Sequence, residues 1–167
     1  MRQEPPYGWD EGTFRDYELV FKMTLDEDWT PAAGQWRSVL HLGNSNVQRL
    51  PGIWFHARSN ALHIRQSTRN RGVSEAAPAG GFVAGATYEI KVIVEDALMT
   101  VYIDGVAVAT APLEPQTAVA NAAVYVGDPW YAAAKVTLSD LCLKEIVTSC
   151  VEIKFQAPHA IDAMLSS

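Results

Sequence analysis

Between Trp29 and Ser74 the chain carries Arg37, Arg49, Arg58, Arg65, Arg69 and Arg71 together with His41, His56 and His63, and not one Asp or Glu. Arginine presents a planar fork of N–H donors that meets a carboxylate or a sulfate at two points. A tryptophan beside it offers a flat apolar face to a sugar ring or a cation. The chemistry this spacing suggests is recognition of an anionic group. The candidate ligand-binding residues are Trp54, His56, His63 and Arg65 on one sheet face, Arg58, Arg69 and Arg71 in loops beside it, and Trp130 with Tyr131 after Gly127-Asp128-Pro129. Acidic glycans bearing sulfate or uronate groups fit such a surface, and so does an acidic protein surface oriented by charge. A plainer reading stands beside this one. Trp54 packs under a neighbouring loop, the arginines pair with acids elsewhere on the domain at little net gain, and Trp130 and Tyr131 plug one end of the fold.

Catalytic constellations are harder to assemble. A retaining glycosidase holds two carboxylates about 5–5.5 Å apart. Glu89, Glu95 and Asp96 lie on or beside one expected strand, where alternation of side chains keeps two carboxylates from standing side by side on one face. There is no Gly-x-Ser-x-Gly turn, and neither cysteine sits in a nucleophile signature. The expectation is a protein that is not an enzyme. His56 and His63 would face each other across a hairpin, but zinc takes further ligands and no Cys or carboxylate is expected near them, so no metal or cofactor is assigned there. Cys142 and Cys150, the only two cysteines, are too few for a zinc site or a disulfide framework. One bridge or two thiols near the core both remain open.

These side chains need a scaffold, and the pattern along the chain supplies one. Short β-branched and aromatic runs, broken by Gly, Pro, Asn and Asp, read as strands at 17–25, 36–42, 52–57, 61–66, 88–94, 98–103, 106–111, 123–126, 136–143 and 151–155. Connections this short make antiparallel hairpins. Asp104-Gly105 supplies the positive φ angles of a two-residue hairpin, pairing Ile103 with Val106 and Val101 with Val108 on the core face. In the hairpin at 52–66 a turn centred on Ser59-Asn60 pairs Ala57 with Leu62 and Phe55 with Ile64 on the core side. On the opposite side it pairs His56 with His63 and Trp54 with Arg65. Residues 69–86, rich in Gly and Ala, read as a long loop, and 157–167 as a helical turn or a frayed end.

At 167 residues, with 49% hydrophobic and 19% charged residues, the chain is expected to fold as one domain over 1–167 with its core at about 14–156. Its formal charge of −6 argues against nucleic acid as a partner. No apolar run is long enough to span a membrane, and Met1 to Pro6 carries no apolar signal region.

Two stretches resemble a known superfamily. Tyr88-Glu-Ile-Lys-Val-Ile-Val, followed by Leu98-Met-Thr-Val-Tyr-Ile-Asp-Gly-Val-Ala-Val-Ala, is similar to a strand pair of concanavalin A-like jelly rolls, the laminin G-like and pentraxin-like domains. Val124-Tyr-Val-Gly-Asp-Pro-Trp-Tyr131, followed by Val136-Thr-Leu-Ser-Asp-Leu-Cys-Leu143, resembles their closing strands. The resemblance implies an all-β sandwich of two antiparallel sheets that binds glycans or proteins, in an extracellular or cell-surface setting. Glycosidase branches of this fold carry a Glu-x-Asp-x-x-Glu or Glu-x-Asp-x-Glu strand, which is missing here. Many members hold calcium, for which Asp104, Asp128 and Asn121 are the donors this chain offers. Asp104 is already accounted for by its turn and Asp128 by Pro129, so no calcium site is assigned. The combined expectation is a non-catalytic, lectin-like module for an acidic or polar glycan. A protein-interaction or structural subunit of a larger assembly is the alternative, and a glycosidase comes third.

Overall fold

The computed structural model describes residues 16–30, 34–59, 61–68, 73–78, 81–113, 122–146, 150–156 and 160–163. They form thirteen strands: β1 Tyr17–Leu25, β2 Arg37–Leu42, β3 Gly52–Phe55, β4 Leu62–Ser67, β5 Val73–Ala76, β6 Thr87–Glu95, β7 Leu98–Ile103, β8 Val106–Pro112, β9 Val124–Val126, β10 Ala132–Ala133, β11 Val136–Glu145, β12 Cys150–Gln156 and β13 Ala160–Ala163. One sheet has the order β13-β12-β11-β1-β6-β7-β8. The other has the order β10-β2-β3-β4-β5, with β9 also pairing β2. All pairs are antiparallel except the short β10–β2 contact. The protein is therefore an all-β, two-sheet sandwich, as its period-two pattern requires.

Alternation builds the core. Along β1 the buried positions are Tyr17, Leu19, Phe21, Met23 and Leu25, and along β6 they are Ile90, Val92 and Val94. Ile53, Phe55, Leu62 and Ile64 of the other sheet are buried in the same cluster. Fully burying a side chain of this size stabilises the fold by about 1.5–3 kcal/mol. Inside this layer the Tyr17 hydroxyl of one sheet donates to Gln66 Oε1 of the other at 2.6 Å. Burial raises the Tyr17 pKa far above its ordinary value, so the phenol stays a donor.

Several local expectations are corrected. Asp104 and Gly105 do turn the β7–β8 hairpin at φ 50° and 78°. A bulge between Val101 and Tyr102 then intervenes, so Val101 pairs with Ala109 instead of Val108. The extra residue turns Val108 out to solvent, and Val106 at the hairpin tip is exposed too. The β3–β4 hairpin pairs Trp54 with His63, Phe55 with Leu62, Ile53 with Ile64 and Gly52 with Arg65. Its connection is longer than the expected turn, closed by His56 N–H donating to Ala61 O at 2.9 Å. The resulting slip is two residues, which changes partners but keeps every side chain on its expected face. Part of the expected loop at 69–86 is strand β5, and β13 stands where a helical turn or a frayed end is expected. Cys142 is disulfide-bonded, which closes the free-thiol alternative for that residue.

Candidate functional site

The face of β2, β3 and β4 turned away from the core is not bare. Ser38 and His41 from β2 and Trp54 from β3 are buried there beneath two connections, one carrying Arg49 and the other Asp128 to Tyr131. Gly52 explains how Trp54 lies down. A Cβ added at Gly52 would sit 2.1 Å from Trp54 Cη2, so the indole occupies the space a side chain would take. The indole Nε1–H donates to Asp128 Oδ2 at 2.9 Å. Asp128 Oδ1 accepts from the N–H groups of Trp130 and Tyr131 at 2.9 and 2.8 Å, and Asp128 N–H donates to Ser38 Oγ at 3.0 Å. One buried carboxylate thus fixes both the indole and the turn above it.

His41 is fully buried against Trp54 and Trp130. Its Nε2 lies 2.8 Å from Gln48 O, and since a carbonyl only accepts, Nε2 carries the proton. Burial lowers the His41 pKa, partly offset by Asp128, whose Oδ2 is 3.9 Å from Nδ1.

Beside this layer is a cavity of about 110 Å³ lined by Trp36, Arg49, Trp54, His63, Arg65 and Tyr131. Arg49 is only 8% exposed. Its guanidinium carbon lies 5.1 Å from the Trp54 ring centroid, and Nη2 donates to Asn46 Oδ1 at 3.3 Å. Burial, and then repulsion from Arg65, lower its pKa. Buried Nε atoms of Arg49 and Arg65 have no hydrogen-bond partner among the described residues. Glu75 approaches from β5, where it pairs with Arg65: Oε2 is 3.9 Å from Arg65 Nε and Oε1 is 3.0 Å from His63 Nδ1. Neither approach has hydrogen-bond geometry, since both nitrogens remain unpartnered.

The expected site residues divide accordingly. His63, Arg65 and Tyr131 line the cavity together with Trp54. Trp54, however, is 2% exposed and forms a wall, which corrects the expectation of an accessible sugar platform. Arg49, Asp128 and Tyr131, from two other connections, hold it in place. His56 is half-buried beside the cavity and accepts the Arg58 N–H at 3.2 Å, while Arg58 itself is exposed. Trp36 packs at 4.6 Å against both His56 and His63, whose imidazoles are 6.4 Å apart. Trp130 packs on His41 and Tyr125, outside the lining. Arg69, Arg71 and Asn121 lie outside the described residues. Asp104 accepts the Glu89 N–H, and among the described residues no group of three or more His, Cys, Asp or Glu could hold a metal ion. Trp36, Arg49 and Glu75 are the members that sequence reasoning did not bring to the site. Gly52-Ile-Trp54, a glycine two residues before a large aromatic, is the pattern that could have flagged the buried indole.

Burial, followed by the charges of Arg65, His56 and Arg49, lowers the His63 pKa to about 4 against the opposing pull of Glu75. The unfolded chain binds this proton near pH 6.5, so between 6.5 and 4 it holds more protons than the folded one. Stability is expected to be complete above pH 6.5 and to fall as the pH drops toward 4. Urea titrations at pH 7.5, 5.5 and 4.5 would record this, with a shallower slope in His63→Gln. Because His41 shifts in the same direction, part of the slope should survive; an unchanged slope in the variant would refute the assignment to His63.

Neither a protein-family model nor a curated protein sequence matches the chain. Solved structures do match. The receptor binding domain of botulinum neurotoxin C/D mosaic serotype superposes with a TM-score of 0.61 at 10% identity, over 81% of this chain and 34% of that one. A SAP-like pentraxin from Limulus polyphemus gives 0.55 at 14% identity, over 77% and 63%. Trypanosoma rangeli sialidase gives 0.56 at 16% identity, over 79% and 21%. This chain spans between about a fifth and just under two thirds of those chains. No helix among the described residues is long and apolar enough to cross a membrane. What the chain shares with these structures, at identities this low, is its fold: a concanavalin-like jelly-roll β-sandwich.

Proposed function

We propose that this domain is a non-catalytic binding module whose pocket takes an anionic group carried by a glycan. The observation that carries the reading is the pair of arginines at one small cavity, each with a buried, unpartnered Nε, set among Trp36, Trp54 and Tyr131. A buried donor without an acceptor costs about 1–3 kcal/mol, and an incoming oxyanion removes that cost. At about 110 Å³ the cavity is well below the roughly 300 Å³ of a site enclosing a drug-sized ligand. It holds one group of the ligand, and the remainder lies on the surface beside Trp36. The non-catalytic reading draws on the acids near the pocket: Asp128 is engaged by three N–H donors, and Glu75 does not line the cavity.

A glycan-array screen of the full chain at low and physiological salt tests this. Binding confined to glycans with carboxylate or sulfate groups, weakening as salt rises, is expected, because an exposed electrostatic contribution is screened. A blank array from folded protein would overturn the glycan reading. In its place would stand docking of a protein partner, which one observation favours: edge strand β8 has no charged residue and exposes Val106 and Val108. Uncharged edges of that kind accept a further strand.

A further inference from the structure

Glu75 is the first acid after the acid-free stretch that begins at Trp29, and β5 sets it directly opposite Arg65. Its two oxygens reach toward two different groups of the pocket, 3.0 Å from His63 Nδ1 and 3.9 Å from Arg65 Nε, without hydrogen bonding to either. The side chain is 46% exposed and does not line the cavity. This is a carboxylate held by charge at the edge of the site and free to rotate outward. A true two-point arginine pair would be shorter and directional.

We propose that Glu75 is an internal competitor that makes the pocket selective for ligands of low charge density, such as one carboxylate per sugar, over densely anionic ones. With the pocket empty, its carboxylate occupies the approach to Arg65. A ligand carboxylate displaces it and takes the arginine donors. Because Glu75 stays within a few ångströms after it swings aside, its charge opposes densely anionic ligands more than singly charged ones. This role rests on the pocket being an anion site, and it adds the selectivity that the arginines alone would lack.

Glu75→Gln keeps the shape and removes the charge. Calorimetric titrations of the full chain with oligogalacturonate (carboxylate only), dextran sulfate (sulfate only) and unsubstituted dextran read the consequence. The wild-type chain is expected to prefer oligogalacturonate. The variant should bind it about fivefold more tightly, in keeping with the loss of one exposed charge, and should gain more for dextran sulfate, so that the preference shrinks. Oligogalacturonate binding that is unchanged or weaker in Glu75→Gln, with wild-type binding intact, would overturn the competitor role and leave the anion site standing. No binding of any anion by either protein would overturn both. The contact is also read without ligand, from the His63 imidazole signals. Arg65, Arg49 and His56 lower this titration and Glu75 alone of these neighbours raises it, so it should move to lower pH in the variant. An unmoved titration would place Glu75 away from the pocket in solution and overturn the proposal.

Discussion

Trp54→Ala is expected to destabilise the domain by about 3–5 kcal/mol, the usual cost of truncating a buried aromatic. The indole is 2% exposed, and three groups depend on it. Asp128 loses the Nε1–H donor, the Arg49 guanidinium loses the ring beneath it, and Tyr131 loses its edge contact at 5.8 Å. The cavity left behind cannot be refilled from Gly52, which has no side chain to offer. For a domain of this size the melting temperature should fall by roughly 10 °C or more. Trp36→Ala, at a half-buried position, should cost clearly less. Thermal and urea unfolding of the two variants side by side decide the matter. A Trp54→Ala melt within a degree or two of the parent would mean that the indole is not a wall of the site. The same result would return Trp54 to the role of an exposed sugar platform that its sequence context suggests.

Arg49→Met with Arg65→Met should behave in the opposite way, leaving the fold and removing the binding. Hydrogen bonds to charged groups contribute about 1.5–3 kcal/mol each, and about 1.4 kcal/mol is a factor of ten in affinity. Losing both guanidinium groups should therefore weaken oligogalacturonate binding by about 100-fold or more. Stability should hold steady, or even rise for Arg49→Met alone. A buried cation that lacks a full set of partners carries a desolvation penalty, which an apolar side chain of similar length avoids. The lost cation–π contact with Trp54 offsets part of that gain. Paired melting and titration experiments check it: binding that survives while the melt collapses would make the arginines structural.

How much of this was legible beforehand differs from residue to residue. Strand β1 lies where its alternation places it, and Asp104-Gly105 turns the hairpin expected of it, because period and turn chemistry are local properties. Local pattern also put Trp54, His63 and Arg65 on one face, and a slip of two residues in pairing left that face unchanged. What it could not give was depth. Whether Trp54 stands open or buried depends on Asp128, which lies 74 residues away, and on Arg49, whose loop reaches back over the strand. Glu75 was hidden for a related reason, since its four-residue strand in a Gly- and Ala-rich segment has too few residues to show a period. Period-two alternation and turn chemistry suffice for a two-sheet sandwich with a basic, aromatic outer face. Which of those side chains are buried as walls and which keep a nitrogen without a hydrogen bond depends on tertiary contacts, because the groups that cover or approach them come from distant parts of the chain.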